Sequence, residues 1–389
     1  MREDIMPIRV LVVDDSLFMR RLVSDSLNAD PAIEVVATAK DGNDALSKTC
    51  ELRPDCITLD LVMPTQGGLA ALEHIMSECP TPVVILSAHS KESADITMKC
   101  LNAGAVGFVP KPSGELSLDI EKITPQLIRE VKAAAALDVA SIKSLIAAKP
   151  RRRLRSRRLK AEIIVIGAST GGPQTLRTVL SSLPLDFPAP ILVVQHMPAG
   201  SFAQSLAEDL DQHCELSIKL AEDGEMIRPA TVYVAPGGFE MTLKRHRTPT
   251  PKNKRNRKGK APEAAIWLTE AEPDGLNPTV DITMQSVVAV YEGNTIGIIL
   301  TGMGHDGREG MKAIKDHGGK TIAQDESSLI FGMPKAVIDA GHADKVLPAS
   351  SVAGALMDMA RSTEPKNSPR RPAVLCKGQQ QAPANSTGV

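Results

Sequence analysis

The chain has 389 residues, a length that corresponds to two or three domains. Hydrophobic residues make up 42% of it, which provides for sizeable cores and excludes a wholly disordered chain. Residues 151–160 and 244–260 hold seven and nine basic residues and no acidic one. The remainder then carries 29 basic and 46 acidic side chains, and so acidic a body argues against a surface built to hold nucleic acid.

No apolar stretch approaches the ~20 residues of a membrane-spanning helix, and residues 1–10 lack the apolar core of a signal peptide. The six cysteines form no Cys-x-x-Cys pair, and five lie in apolar or helical segments, which favours buried, reduced thiols. We therefore expect a cytoplasmic protein that is not embedded in a membrane. A monomer is the simplest expectation for its assembly.

The first 126 residues predict an open parallel α/β sheet. Short continuous apolar runs, typical of strands buried on both faces, alternate with helical segments. The runs lie at 8–13, 33–37, 56–61, 83–88 and 106–110. This alternation favours a doubly wound sheet, in which ligands bind beyond the carboxyl ends of the strands.

Polar side chains follow four of these predicted strands at that edge: Asp14 and Asp15 after the first, Asp60 at the third, Ser87 at the fourth and Lys111 after the fifth. Clustered carboxylates favour Mg²⁺, since they repel one another without a cation. With charge neutralised, Asp60 is a candidate nucleophile toward a phosphoryl group, and Ser87 a hydrogen-bond donor to it. The alternative is that strand ends collect polar residues for solubility alone.

Residues 8–125 resemble a response-regulator receiver domain through the motifs VVDDS, LDLVMP, ILSA and VPKP. The resemblance implies that a sensor histidine kinase is the source of the phosphoryl group on Asp60, with Mg²⁺ as cofactor. Gly67 stands where that family often has an acid, and Val62 where it often has a polar or acidic residue. We expect Gly67 to alter a loop and Val62 to tune metal affinity or phosphoryl lifetime.

We expect residues 127–160 to link two domains. They begin as an Ala-rich helical stretch and end in Pro150 and an arginine run, and a row of like charges extends and solvates a chain. A membrane or nucleic-acid patch is the alternative, although so few aromatic residues lie nearby that bases would have nothing to stack on.

Residues 161–357 predict a second doubly wound, Rossmann-like domain with a serine in a sharp turn. An apolar run at 162–167 meets Gly167–Gly171, which matches G-x-S-x-G, the strand-to-helix turn that lifts a serine above a sheet. The helix beyond it presents backbone N–H groups to a developing oxyanion. The same turn would also suit a phosphate, but no lysine follows it as in a Walker motif.

Two of the eight histidines, His196 and His305, come directly after a buried strand. We predict Ser169 as nucleophile, His196 as general base and Asp306 as the carboxylate that orients the base. His305 competes for the role of base, but adjacent residues usually point apart, so we assign it to the loop or to substrate contact.

The same domain resembles the catalytic domain of chemotaxis protein-glutamate methylesterases of the CheB type. The matching motifs are IGASTGGP, VVQHMP, YVAPGG, PTVDITMQSV, ILTGMGHDG and QDESSLIFGMPKAVI. The resemblance implies the same triad, backbone oxyanion donors at Thr170 and Met303, and no cofactor for the hydrolysis. It also implies that chemoreceptors are the substrate, with glutamate demethylation and glutamine deamidation as the reactions.

Several segments depart from that family. We expect the basic insert 244–262 to be a disordered loop and the tail 358–389 to be disordered. Asp209, Leu276 and Asn277 stand where the family commonly has more basic residues, and we expect them around the substrate groove. Which receptor helix the groove accepts is therefore left open.

Three other interpretations remain: a DNA-binding regulator that uses the basic tracts, a nucleotide-binding enzyme that uses the GASTGG turn, and a catalytically silent adaptor that binds receptors or a kinase. The adaptor interpretation remains because the presence of the three triad residues does not establish that a substrate can bind beside them.

Overall fold

The computed structural model describes residues 6–63, 67–111, 120–137, 162–246, 262–272 and 277–359. It contains two α/β domains, each built on a parallel sheet. The predicted linker from residue 138 on, most of the basic insert, Leu276 and the tail from residue 360 lie outside the described residues.

The amino-terminal domain is a five-stranded parallel sheet in the order β2-β1-β3-β4-β5. Its strands are β1 (Ile8–Val13), β2 (Ile33–Ala39), β3 (Cys56–Asp60), β4 (Val83–Ser87) and β5 (Gly107–Pro110). Its helices are α1 (Leu17–Asn28), α2 (Gly42–Leu52), α3 (Gly67–Glu78), α4 (Lys91–Asn102) and α5 (Ile120–Ala135). The apolar runs of the sequence therefore predicted all five strands.

Both faces of this sheet are covered, because successive side chains of a strand point to opposite faces. Val10 and Val12 of β1 lie in a core with α1 and α5. Leu11 and Val13 lie in a second core with α2, α3 and α4. Fully apolar strands are the consequence of burial on both sides.

Helix α5 corrects the predicted boundary between residues 126 and 127, which falls inside it. Its buried stripe of Leu127, Val131 and Ala134 packs in the same core as Val10 and Val12 of β1. The helical stretch that opened the predicted linker thus belongs to the amino-terminal domain, since its apolar face needs the sheet as a partner.

The second domain is a seven-stranded parallel sheet in the order β14-β13-β12-β6-β7-β9-β8. Its strands are β6 (Ile163–Ala168), β7 (Ile191–Gln195), β8 (Ser217–Leu220), β9 (Thr231–Val234), β12 (Thr295–Ile299), β13 (Lys320–Gln324) and β14 (Lys345–Leu347). Its helices are α6 (Gly172–Leu180), α7 (Phe202–His213), α8 (Val280–Tyr291), α9 (Arg308–Asp316), α10 (Met333–Asp339) and α11 (Ala349–Met359), with a 3₁₀ turn at Glu292–Asn294.

An antiparallel hairpin stands apart from this sheet, formed by β10 (Phe239–Arg245) and β11 (Ala264–Glu270). The basic insert connects its two strands. Strand β10 packs along α8: the Thr283 hydroxyl donates to the Met241 carbonyl at 2.8 Å, and the Leu243 N–H donates to Ser286 Oγ at 3.0 Å.

The expectation of reduced thiols is wrong for two cysteines. Cys50 and Cys79 form a disulfide, with Cα atoms 5.5 Å apart, between the last turn of α2 and the residue after α3. Cys56 and Cys100 are buried free thiols, as expected. A separation of 29 residues through two helices carries no spacing signal, so only the packing of α2 on α3 brings the pair together.

None of the helices within the described ranges combines the length and the apolar composition needed to cross a bilayer.

Candidate phosphorylation and active sites

Three carboxylates meet at the carboxyl edge of the amino-terminal sheet, as the sequence predicted. Asp14 follows β1 and Asp60 ends β3; both are buried, while Asp15 is exposed. One oxygen of each lies within 4.8 Å of the others. Three hard oxygen ligands so close together fit a divalent cation such as Mg²⁺.

Lys111 neutralises part of this charge. Its ammonium lies 2.8 Å from Asp14 Oδ2 and 2.9 Å from Asp60 Oδ2. Burial raises the pKa of Asp60 above its ordinary value, although Lys111 acts in the opposite direction. Burial also works against the charged Lys111, but Asp60 and Asp14 outweigh it and raise the pKa of the ammonium.

Two neighbours of the acidic cluster, Ser87 and Val62, make further contacts in this arrangement. The Ser87 hydroxyl lies in the buried layer above α4: it accepts from Thr97 Oγ1 at 2.8 Å and donates toward the Ser93 carbonyl at 3.4 Å. Val62 has a side chain that is 63% exposed, and its N–H donates to Asp60 Oδ1 at 3.2 Å. Val62 therefore offers the acidic cluster only its backbone.

Ser169 lies in the turn between β6 and α6. Gly171 has a φ of +76°, in the left-handed region where a side chain is strained, and a Cβ there would lie 2.7 Å from Leu329. The Ser169 N–H donates to the Thr301 carbonyl at 2.9 Å, which ties the turn to the loop after β12. The glycine lets the chain turn sharply and bring Ser169 to the strand edge.

His196 and Asp306 meet at the same edge. His196 Nε2 lies 2.8 Å from Asp306 Oδ2, and the two side chains are 5% and 13% exposed. The His196 Nδ1 atom is buried and has no hydrogen-bond partner among the described residues. With the ring in this orientation, Nδ1 is the nitrogen left to accept a proton. His305 is exposed on the same loop.

The amino terminus of α8 fixes Asp306. Its carboxylate accepts the Val280 N–H at 2.8 Å, the Asp281 N–H at 3.0 Å and its neighbour Gly307 N–H at 2.8 Å. Burial alone would raise the pKa of Asp306, but His196 and these N–H donors outweigh it and hold that pKa below its ordinary value. Asp306 is therefore ionised beside His196.

Two residues that the sequence did not indicate contact the predicted triad residues. Gln195 ends β7, and its side-chain amide donates to the Ser169 carbonyl at 2.9 Å and to the His196 carbonyl at 3.0 Å. Gly302 lies against Ser169, so closely that a Cβ there would come within 2.7 Å of Ser169 Cβ. Both residues contact Ser169 from distant parts of the chain, so no local sequence pattern predicts these contacts.

Of the two predicted oxyanion donors, Thr170 follows Ser169 in the chain, and Met303 follows Gly302, the residue that lies against Ser169. In the turns, loops and caps that the structure describes, neither backbone N–H is donated to another backbone group. The Thr170 hydroxyl is engaged. It donates to Glu130 Oε2 of α5 at 3.0 Å.

Glu130 therefore brings the amino-terminal domain to the active site. It is 8% exposed, and burial raises the pKa of its carboxyl above the ordinary glutamate value. A cavity of about 460 Å³ lies beside it, lined from one domain by Phe108, Arg129 and Glu130 and from the other by Ser169, Thr170 and His196, among others. The amino-terminal domain thus covers the serine face of the second domain; we call this the closed arrangement.

Helices α4 and α7 hold the closed arrangement together. The Nζ atom of Lys91 in α4 lies 2.7 Å from Oε2 of Glu208 in α7. In the same interface, the ring centroids of Phe108 in β5 and Phe202 in α7 are 4.6 Å apart. Asn102 donates to Asp209 at 3.0 Å. In the closed arrangement the Asp209 carboxylate therefore binds the covering domain, and Asp209 is not among the residues that line the cavity. Asn277 does line the cavity.

Residues 164–356 match the family model described as CheB methylesterase, and residues 10–121 match that of the response regulator receiver domain. The fold and the site thus define a response regulator whose effector domain is a hydrolase. Relatives named protein-glutamate methylesterase/protein-glutamine glutaminase, from Symbiobacterium thermophilum and Thermotoga maritima, are each 42% identical; both alignments cover 90% of this chain and 96% and 98% of theirs. The chain belongs to the family of protein-glutamate methylesterases/protein-glutamine glutaminases.

Among solved structures, the crystal structure of the Thermotoga maritima CheB methylesterase catalytic domain is 43% identical to this chain. It covers 51% of this chain and 98% of its own, with a TM-score of 0.45.

Proposed function

We propose that Ser169, His196 and Asp306 form a catalytic triad that hydrolyses glutamate methyl esters on chemoreceptors. The observation that carries the proposal is the 2.8 Å contact between His196 Nε2 and Asp306 Oδ2, in a cavity that also contains Ser169. The names of the relatives supply the substrate class.

The reaction proceeds through an acyl-enzyme. Ser169 Oγ attacks the ester carbonyl while His196 Nδ1 takes the serine proton, and Asp306 stabilises the imidazolium that forms. His196 then donates the proton to the leaving methoxide, which departs as methanol. Water, activated by the same imidazole, cleaves the acyl-enzyme and restores the receptor carboxylate and the Ser169 hydroxyl. The backbone N–H groups of Thr170 and Met303 bind the oxyanion of each tetrahedral intermediate.

Glutamine deamidation follows the same route with ammonia as the leaving group. The acyl-enzyme is identical in both reactions, because the γ-carbonyl of glutamine and that of a glutamate ester give the same glutamyl ester on Ser169. The protein thus needs no second site for this reaction.

Phosphorylation of Asp60 by a sensor histidine kinase regulates the hydrolase. Mg²⁺, held by Asp14, Asp15 and Asp60, would neutralise charge during phosphoryl transfer. Lys111 already contacts Asp60 and would pair with the phosphoryl group. The Ser87 hydroxyl must leave its contacts with α4 to bond that group, so phosphorylation and the packing of α4 are linked.

Helix α4 is also the helix that holds α7. We therefore infer that phosphorylation shifts the closed arrangement toward an open one in which a receptor helix reaches Ser169. A receptor helix about 10 Å across needs the covering domain to move. The shift requires only a few kcal/mol of differential interaction between the two arrangements.

The proposal places the enzyme in the cytoplasm as a monomer without nucleic acid. The two buried free thiols support the cytoplasmic location, and the acidic charge of the chain outside the two basic tracts argues against nucleic acid. The Cys50–Cys79 disulfide would be unusual there, and thiol counting under non-reducing conditions measures whether it persists.

Methanol release from methylated receptor membranes tests catalyst and switch together. Wild type, Ser169→Ala and Asp60→Asn are compared with and without a small-molecule phosphodonor. We expect no release from Ser169→Ala, and stimulation by phosphodonor only when Asp60 is present. No release from wild type on any matched receptor would favour the catalytically silent adaptor instead.

A further inference from the structure

The residue that begins α8 does not cap its own helix. Thr279 occupies the N-cap position in an extended conformation, yet its side chain makes no capping hydrogen bond. A threonine there usually accepts from the second or third N–H of the helix. In this protein the second N–H of the helix, that of Asp281, donates to Asp306 Oδ1 instead.

Glu240 of β10 holds the Thr279 hydroxyl away from the helix. One carboxylate oxygen accepts the Thr279 hydroxyl at 2.6 Å, and the other accepts the Thr279 N–H at 2.9 Å. A carboxylate that accepts two hydrogen bonds from one residue fixes both its backbone and its side chain. Strand β10 is itself bonded to α8 through Thr283 and Ser286, so Glu240 has a fixed place over the helix terminus.

The consequence is a division of donors at the helix terminus. The N–H groups of Val280 and Asp281 remain for Asp306, while the donors of Thr279 go to Glu240. Loss of Glu240 removes these two hydrogen bonds, and we expect the Thr279 hydroxyl then to turn and accept the Asp281 N–H. It would then compete with the carboxylate that orients His196.

We propose that Glu240 is a positioning residue of the active site, which reserves the amino-terminal donors of α8 for Asp306 by holding the Thr279 hydroxyl outward. The inference rests on the proposed triad, because it assigns Glu240 a role only through Asp306 and His196. It also gives the β10–β11 hairpin a part in the hydrolase.

The test is methanol release by the full-length protein from methylated receptor membranes, with phosphodonor present. Glu240→Ala lowers kcat about tenfold, because a shift of the order of 1 Å in an orienting group is enough for such a loss. The matched control is Glu270→Ala, an exposed glutamate on the partner strand β11, which retains wild-type kcat. Equal kcat for the two variants would refute the proposal.

The double variant Glu240→Ala/Thr279→Val separates competition from simple loss of structure. Valine keeps the shape of threonine but has no hydroxyl to accept the Asp281 N–H. We expect the double variant to recover most of the kcat that Glu240→Ala loses. A double variant as slow as Glu240→Ala contradicts the assigned role.

A second readout does not depend on turnover. In ¹⁵N-histidine NMR spectra, we expect the His196 Nε2–H signal in wild type and in Glu270→Ala, and its exchange broadening or loss in Glu240→Ala. An unchanged signal in Glu240→Ala overturns the inference. Asp306→Asn separates a failure of the proposed triad from a failure of the role of Glu240. Full activity of Asp306→Asn would mean that the triad is wrong. An inactive Asp306→Asn together with a fully active Glu240→Ala would mean that only the role of Glu240 is wrong.

Discussion

Two buried carboxyl groups approach the same active site, and their surroundings shift their pKa values in opposite directions. Asp306 accepts three backbone N–H groups besides His196, and its pKa is lowered. Glu130 has the Thr170 hydroxyl as its donor, and burial raises its pKa. At Asp306 the contact with His196 and the backbone donors outweigh burial, whereas at Glu130 burial outweighs its donor.

Asp306→Asn removes the charge while keeping the size of the side chain. We expect kcat for methanol release to fall about 10³- to 10⁴-fold, because an amide turns an NH₂ group either toward the N–H donors of α8 or toward His196. The control is Asp316→Asn, an exposed aspartate at the end of α9. A loss smaller than tenfold would remove Asp306 from the triad.

Glu130→Gln tests the other carboxyl. Because the closed arrangement raises the pKa of Glu130, that carboxyl favours closure at low pH, and its contribution is lost as pH rises through the raised pKa. We therefore compare two proteins that both carry Asp60→Asn, one with Glu130 and one with Glu130→Gln. We expect the ratio of their basal activities, the Glu130 protein over the Glu130→Gln protein, to rise with pH. The ratio at each pH cancels the titration of the triad, which both proteins share. A ratio independent of pH would show that Glu130 does not control closure.

At the scale of elements, the strand-to-helix turn decides where Ser169 lies. Gly171→Ala places a side chain at a φ of +76° and against Leu329. We expect the effector domain to lose about 1–3 kcal/mol of unfolding free energy, measured by urea denaturation.

The control for that change is Gly354→Ala. Gly354 lies inside α11, and a Cβ added to it would have no heavy atom of another described residue within 4 Å, so an alanine there meets no obstacle. We expect this variant to gain up to about 1 kcal/mol, because alanine favours helix over glycine. Destabilisation of both variants alike would assign the effect at Gly171 to something other than its backbone conformation.

The sequence predicted the elements well because buried parallel strands are nearly continuous apolar runs. For the same reason it predicted which polar residues share the strand ends, including Asp14, Asp60 and Lys111. It did not predict groups that act across elements. Gln195 reads as the polar end of a strand, and Glu240 as one polar position in an alternating hairpin; only the tertiary fold shows what they bind.

At the scale of the whole molecule, the closed arrangement depends on an interface between helices and strands of two domains. The Phe108 ring lies 4.6 Å from that of Phe202, and Gln174 of α6 donates to the carbonyls of Leu101 and Ala105 at 2.8 and 3.0 Å. Opening must therefore break both aromatic packing and hydrogen bonds between the domains.

Phe108→Ala removes the aromatic contact and should favour opening. We expect the basal activity without phosphodonor to rise about three- to tenfold, since such a pair contributes on the order of 1 kcal/mol beyond its buried area. Phe18→Ala is the matched control, because Phe18 is 60% exposed on the same domain. Basal activity that does not change in Phe108→Ala would mean that this interface does not limit access to Ser169.

The cavity beside Ser169 has walls from both domains, and this gives it a thermodynamic reciprocity. A small molecule that fills the cavity contacts both domains and binds only to the closed arrangement. Its binding therefore stabilises that arrangement. If phosphorylation of Asp60 opens the two domains, it lowers the affinity of the cavity for this molecule. Thermodynamic linkage then requires that the bound molecule lowers the equilibrium constant for phosphorylation by the same factor. An inhibitor fitted to the closed cavity would therefore silence the hydrolase and oppose its activating signal in a single binding event.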